Sequence, residues 1–201
     1  MSRDAVQPHL YAAVIAIGAS GAEGLSDIKA LLCALPHPLK AVVLVVLHRP
    51  IDRISRLRDI LARSCPIRVA IAEEGERFEA GVCYIGEPAG HLTLAARNYA
   101  HLIDDPQNAY RNRTVDALFR SVAEHDGRRM IGVVLSGALD DGSRGLAAIK
   151  AAGGVTMVVT SPAGAKRGMP ENARDFSAPI DKIGTPGEIA EEISRWLLRA
   201  D

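Results

Sequence analysis

Three apolar runs in this chain each end on a polar residue with catalytic potential. VIAIGAS (14–20) ends at Ser20, VVLVVLH (42–48) ends at His48, and IGVVLSGALDD (131–141) ends at Asp140 and Asp141. A serine, a histidine and a carboxylate are the side-chain types of a nucleophile, a general base and the group that orients the base. Each stands just beyond its own run. In an open parallel sheet the carboxyl ends of the strands share one edge, so three such residues can meet there.

Ser20 lies in Gly18-Ala19-Ser20-Gly21-Ala22-Glu23-Gly24. Glycines let the chain turn sharply, and a helix starting here would aim free N–H groups at an oxyanion beside Ser20. The spacing is G-x-x-G-x-x-G rather than the dinucleotide G-x-G-x-x-G, and no Lys-Ser/Thr follows to make a phosphate loop. The second strand ends in His48, where a dinucleotide fold wants an acid. Read one at a time, each residue has a plainer role. Ser20 serves as a turn or cap residue, His48 as a structural hydrogen-bonder, and either aspartate as a helix cap. On the bare residues the two aspartates are equivalent. His91 and His101 fall among short strands and read as surface or cross-strand residues. No two His, Asp or Glu residues show metal-ligand pairing, so no metal is expected.

The surrounding pattern is α/β. Tyr11–Gly18, Ala41–Leu47, Met130–Leu135 and Val155–Val159 read as buried strands. Helices are predicted over Leu25–Leu35, Arg53–Arg63 and Gly145–Ala152, with a further one capped by Thr114. A final helix follows the capping-box spacing of Thr185 and Glu188, with Pro186 first. Ile67–Ile71, Val82–Gly86, His91–Ala95 and His101–Ile103 are short and turn-bounded, and are predicted as small antiparallel strands. Pro162–Pro179 is predicted as mostly loop, with at most a short helix. The expected fold is α/β: a mostly parallel, doubly wound sheet with helices on both faces and a short antiparallel insertion. Residues 1–10 are expected as a tail and 11–199 as one domain.

Composition narrows the function. The 201 residues are 48% hydrophobic and carry 24 basic and 24 acidic side chains. No global basic field draws nucleic acid. The arginines of Arg49–Arg68, interrupted by Asp52 and Asp59, read as a solvated helix face. Cys33, Cys65 and Cys83 read as buried free thiols of a reducing compartment. MSRDAVQPHL lacks a signal-peptide apolar region, and Tyr11–Ala19 is too short to span a bilayer. A cytoplasmic location without membrane insertion is expected.

Together these motifs resemble the catalytic domain of bacterial chemotaxis-receptor protein-glutamate methylesterases. The resemblance runs from about Ala13 to about Leu197. It rests on IGAS (17–20), VVLH (45–48), AEEGERFEAGVCYIGEPAGHLTL (72–94), TVDALFRSVA (114–123), IGVVLSGALDDGSRGLAAIKAAGG (131–154) and GMP (168–170). It implies a nucleophile at Ser20, a base at His48 and the acid at Asp141 rather than Asp140. It further implies an oxyanion and substrate loop of Gly21, Ala138, Leu139 and Met169, and no cofactor or metal. The implied partners are the methylated cytoplasmic domain of a receptor and a separate receiver or regulatory protein, since the chain has no room for an attached receiver.

The chain departs from the family pattern beside these residues. Glu23 enters the loop after Ser20, Leu47 replaces a glutamine, and Leu139 replaces a glycine. Arg113-Thr114 stands for Pro-Ser, and Ser161–Arg167 differs throughout. A carboxylate at Glu23 near a developing oxyanion, together with Leu139 in the acid-bearing loop, predicts a low turnover. The alternative is a catalytically weak domain that binds a receptor or signalling partner. Hydrolysis of an unrelated small ester is a third reading.

Overall fold

Alternation along the central strands divides the core in two. In β1 (Ala13–Ser20), Ala13, Ile15, Ile17 and Ala19 join one buried cluster, while Val14 and Ala16 join the other. In β2 (Ala41–His48), Ala41, Val43, Val45 and Leu47 share the first cluster, and Val42 and Leu44 the second. Strands apolar on both faces need helices on both sides, and the chain supplies them. The computed structural model describes residues 13–49, 55–88, 90–95, 98–105, 107, 112–124, 129–161, 165–176 and 179–199. Residues 1–10, expected as a tail, lie outside these.

The remaining strands are β3 (Arg68–Ile71), β4 (Val82–Ile85), β5 (Gly90–Ala95), β6 (Tyr99–Asp104), β7 (Arg129–Val134), β8 (Val155–Val159) and β9 (Lys182–Gly184). The main sheet is parallel, in the order β3-β4-β2-β1-β7-β8-β9, and β5 and β6 form a separate antiparallel pair. Helices α1 (Gly21–Ala34), α2 (Leu57–Ser64) and α6 (Pro186–Leu198) cover the first face. Helices α3 (Thr114–Ala123), α4 (Ser143–Ala151) and α5 (Met169–Phe176) cover the second. The chain builds outward from β1 on one side, then returns to place β7 on the other. The order therefore reverses between β1 and β7, where a doubly wound sheet opens a crevice at its carboxyl edge.

Ser20 and His48 are register partners on adjacent parallel strands. By the same alternation, both point to the face covered by α3 and α4. Two-residue periodicity fixes this once the strands are paired.

Several expectations are corrected. β3 and β4 are parallel members of the main sheet, so only β5 and β6 are antiparallel. Apolar alternation carries no strand direction. Direction comes here from the return segment after β3, where Gly75 and Phe78 donate to Ala100 and Asn98 carbonyls and buried Phe78 packs on Tyr84 at 4.6 Å. The second helix begins at Leu57, residues 51–54 being outside the description. Cys33 is exposed because it lies one position off the Ile28, Leu31, Leu32 stripe that α1 buries. Thr114 is the first residue of α3 rather than its cap; Arg113 is the cap residue, and its side chain makes no capping bond. The Thr185–Glu188 capping box forms as expected, with Pro186 opening α6.

Candidate active site

His48 ends β2 with 17% of its side chain exposed. Its Nε2 lies 2.7 Å from Asp141 Oδ2 and 3.0 Å from Thr114 Oγ1. An ionised carboxylate only accepts, so Nε2 carries the proton and Nδ1 is the basic nitrogen.

Asp141 is fully buried, and backbone donors surround it. Oδ2 also accepts from Val115 N at 2.9 Å, while Oδ1 accepts from Asp116 N and Gly142 N at 2.8 Å each. Val115 and Asp116 are the second and third residues of α3, so Asp141 takes the place of the missing side-chain cap and sits at the positive end of the helix dipole. Burial pushes the Asp141 carboxyl up. The hydrogen bond from His48 and those from Val115 and Asp116 N–H outweigh it and hold the carboxyl below its ordinary value of 3.8.

The arrangement is reciprocal. Asp116, on α3, accepts from Gly145 N at 2.7 Å, the third residue of α4, which follows Asp141. Burial pushes the Asp116 carboxyl up, opposed by the Gly145 bond and reinforced by the Asp141 charge. Each aspartate thus holds the start of the other's helix. Asp140 instead points outward, with Arg113 Nη1 at 3.3 Å and Arg144 Nη1 at 3.5 Å, and its side chain is 45% exposed.

A depressed folded-state pKa contributes stability that is complete above the unfolded value and lost as pH falls through the folded one. For Asp141 that loss begins as pH drops below about 4. The melting-temperature gap between the parent and Asp141→Asn is therefore expected to be constant from pH 5 to 7 and to shrink below about pH 4. A gap unchanged down to pH 2.5 contradicts a depressed Asp141.

Ser20 is the residue before α1, and its hydroxyl makes no cap bond. Its N–H donates to Ser136 O at 3.0 Å and is spent there. The Gly21 N–H opens α1, where helix donors lack partners within the helix. Gly137 presses against Ser20: a Cβ there would fall 2.8 Å from Ser20 Cβ and 2.4 Å from Met169 Sδ, so only glycine fits. Ser20 and His48 stand side by side, but no direct hydrogen bond joins them in this conformation among the described contacts.

A cleft of about 530 Å³ opens over these residues, lined by Ser20, His48, Thr114, Ala138 and Leu139, with Arg49, Gly86 to Pro88 and His91 on its other walls. The four residues expected at the oxyanion and substrate loop are placed differently. Ala138 and Leu139 line the cleft, and Gly21 adjoins Ser20. The Met169 side chain is fully buried against Gly137, and its N–H donates to the Gly137 carbonyl at 2.8 Å. It supports the loop from the core. Glu23 is exposed in the first turn of α1 and is not among the cleft-lining residues. Gly21 opens α1 in the left-handed region at φ +73°, a conformation that suits glycine, and Ala22, Glu23 and Gly24 continue the helix.

Leu139 has φ +69° and is 55% exposed, with its carbonyl held by Asn172 Nδ2 at 2.7 Å. Left-handed backbone costs a non-glycine residue about 1 kcal/mol. Leu139→Gly is expected to raise the melting temperature by about 2 °C. An unchanged or lower value in a thermal melt means that the leucine side chain offsets its own strain.

Four features in or behind the cleft were not read from sequence. Thr114 and Asp116 lie within the TVD stretch, but their partners are remote in the chain. Arg49 is half-buried and spans from Ser55 Oγ at 2.6 Å to the Gly86 carbonyl. His91, nearly buried on β5, bonds Asp105 Oδ2 at 3.0 Å. His101 is exposed and meets Glu74 at 3.1 Å. Among the described residues no cluster of three His, Cys, Asp or Glu is placed to hold a metal, and no helix is long and apolar enough to cross a membrane.

Comparison with known proteins bears on this geometry. The CheB methylesterase family model matches residues 15–193. A protein-glutamate methylesterase/protein-glutamine glutaminase of Paraburkholderia xenovorans is 36% identical over 183 residues, covering 90% of this chain and 50% of that protein. One from Yersinia pestis is 39% identical over 163 residues, covering 80% of this chain and 46% of the relative. The crystal structure of the Thermotoga maritima CheB methylesterase catalytic domain superposes with a TM-score of 0.80 at 26% identity, covering 91% of this chain and 97% of that one. The chain spans about half the length of the curated relatives it matches. Fold and site define a doubly wound α/β protein with a serine, a histidine and an aspartate at the switch point of a parallel sheet. The chain belongs to the CheB methylesterase family.

Proposed function

We propose that this domain, residues 11–199, is a serine esterase that hydrolyses glutamate methyl esters on chemotaxis-type receptors. The observation that carries the reading is the 2.7 Å bond between His48 Nε2 and Asp141 Oδ2 in the cleft that also bears Ser20. Membership of a family whose relatives are named protein-glutamate methylesterases supports the substrate class. In this proposal the enzyme works in the cytoplasm on the methylated cytoplasmic domain of a receptor, and a separate receiver or regulatory protein controls it.

The geometry supports the following chemistry. Ser20 Oγ attacks the ester carbonyl while His48 Nδ1 takes its proton. Nδ1 serves because Nε2 is engaged by Asp141 and Thr114. The protonated ring returns the proton to the departing methoxide, releasing methanol and leaving a glutamyl ester on Ser20. Water, activated by the same nitrogen, hydrolyses that ester and frees the glutamate carboxylate. Asp141 keeps the proton on Nε2 and stabilises the imidazolium. The Gly21 N–H and the Ala138–Leu139 backbone are the candidate donors to the oxyanion. The Ser20 rotamer and the bound ester close the remaining gap to His48, as catalytic hydrogen bonds often tighten only when substrate is present.

A binding-only domain is the second reading, favoured by the unbonded Ser20–His48 pair and the strained Leu139 at the cleft. One experiment separates the two. The purified protein is incubated with a receptor fragment carrying labelled methyl esters, and in parallel with a fluorophosphonate. Methanol release together with a phosphonyl adduct on Ser20 supports the esterase. Receptor binding with neither methanol nor adduct supports the binding domain.

A further inference from the structure

The three cysteines play no part in the chemistry of the cleft, yet two of them are arranged as a pair. Cys33 lies near the carboxyl end of α1, and Cys65 follows the last residue of α2. Cys33 Sγ donates to the Ser64 carbonyl at 3.1 Å, and Cys65 Sγ donates to the Lys29 carbonyl at 3.4 Å. Ser64 adjoins Cys65, and Lys29 lies one helical turn before Cys33. Each thiol therefore reaches across the same seam to the backbone beside the other. Cys33 is exposed, whereas Cys65 is 7% exposed. The third thiol, Cys83, is fully buried in β4.

We propose that Cys33 and Cys65 are a redox-modification site, closing a reversible disulfide that locks α1 to the end of α2. The inference is independent of the esterase reading. A small-molecule disulfide such as glutathione disulfide is the oxidant class that fits, because only Cys33 is open to attack from solvent.

The steps balance as thiol–disulfide exchange. The Cys33 thiol gives its proton to solvent, and its thiolate attacks one sulfur of glutathione disulfide. One S–S bond forms, one breaks, and a glutathione thiolate leaves and is protonated. Cys65 then loses its proton and attacks Cys33 Sγ, expelling the second glutathione. The protein gives up two electrons and two protons, and the oxidant becomes two glutathione thiols. Burial, and then the Cys33 hydrogen bond and charge, push the Cys65 thiol up to about 12. Cys33 is exposed and Cys65 is buried, so the adduct on Cys33 precedes the internal bond.

The link closes a loop containing all of β2, His48 and α2, and such closure restricts the unfolded chain. Cys33 lies at the far end of α1 from Ser20, so the link leaves the cleft geometry intact.

The test treats the folded protein with glutathione disulfide and follows intact mass, peptide maps and thermal melting. The expected product has lost two hydrogens, yields a Cys33–Cys65 cross-linked peptide and melts roughly 5–10 °C higher. Dithiothreitol reverses all three changes. Cys33→Ser, at an exposed position, abolishes them, and Cys83→Ala retains them. A permanent glutathione adduct on Cys33, a link through Cys83, or a cross-linked protein with no higher melting temperature overturns the proposal.

Discussion

Replacing Ser20 with alanine is expected to lower ester hydrolysis at least about 10³-fold while leaving the melting temperature within about 2 °C of the parent. The two halves of this result have separate causes. The hydroxyl is the only nucleophile the mechanism supplies at that strand end, and the remaining groups act as a unit with it. The same hydroxyl caps nothing: α1 begins after Ser20 without a side-chain bond. Its N–H bond to Ser136 belongs to the backbone and survives the change. Alanine also keeps the Cβ that packs on Gly137. Initial rates on a small activated ester and a calorimetric melt measure both quantities. Residual activity within tenfold of the parent rejects Ser20 as nucleophile. A large fall in melting temperature would turn the activity loss into a folding effect.

Asp141→Asn is expected to cost about 10³-fold or more in kcat, and here stability falls too. An asparagine amide placed at Nε2 offers a donor where the parent offers only acceptors. The ring then takes its proton on Nδ1, which can no longer serve as the base of the proposed mechanism. The loss of negative charge also removes the anion at the start of α3, where Val115 and Asp116 N–H converge. That contribution is about 1–2 kcal/mol, or roughly 3–6 °C in melting temperature. Asp140→Asn is the control, since Asp140 is half-exposed and only bridges the partly exposed Arg113 and Arg144. It should change kcat less than about threefold and the melting temperature by less than about 2 °C, as exposed ion pairs contribute little. Equal losses in the two variants would remove the distinction between the aspartates.

The long apolar runs were legible in the sequence because burial on both faces needs continuous hydrophobicity. Ala41–Leu47 could hardly be anything but an inner strand. The order strand, helix, strand then made a parallel sheet the economical fold, and placed Ser20, His48 and the two aspartates at strand ends. The short runs were less legible. β3 and β4 read as antiparallel because four or five alternating residues encode a pleat but not a direction. β9 escaped notice, being three residues whose partner is β8.

What the sequence determined by itself was the chemistry available: one serine, one histidine and two adjacent carboxylates, each following a buried strand. Local residues alone left Asp140 and Asp141 equivalent, and only the resemblance to a family favoured Asp141. The tertiary structure decided their environments. Residue 141 turns inward to the first N–H groups of α3, residue 140 turns outward to two arginines, and Asp116 returns the same support to α4. It also decided that Thr114 meets His48 rather than capping its helix, that Met169 lies beneath the loop rather than in the cleft, and that Cys33 and Cys65 face each other. The physical reason is the same in each case. Side-chain periodicity is local and can be read along the chain. A buried carboxylate is stable only where donors from distant segments converge, and that convergence exists only after the helices have packed on the sheet.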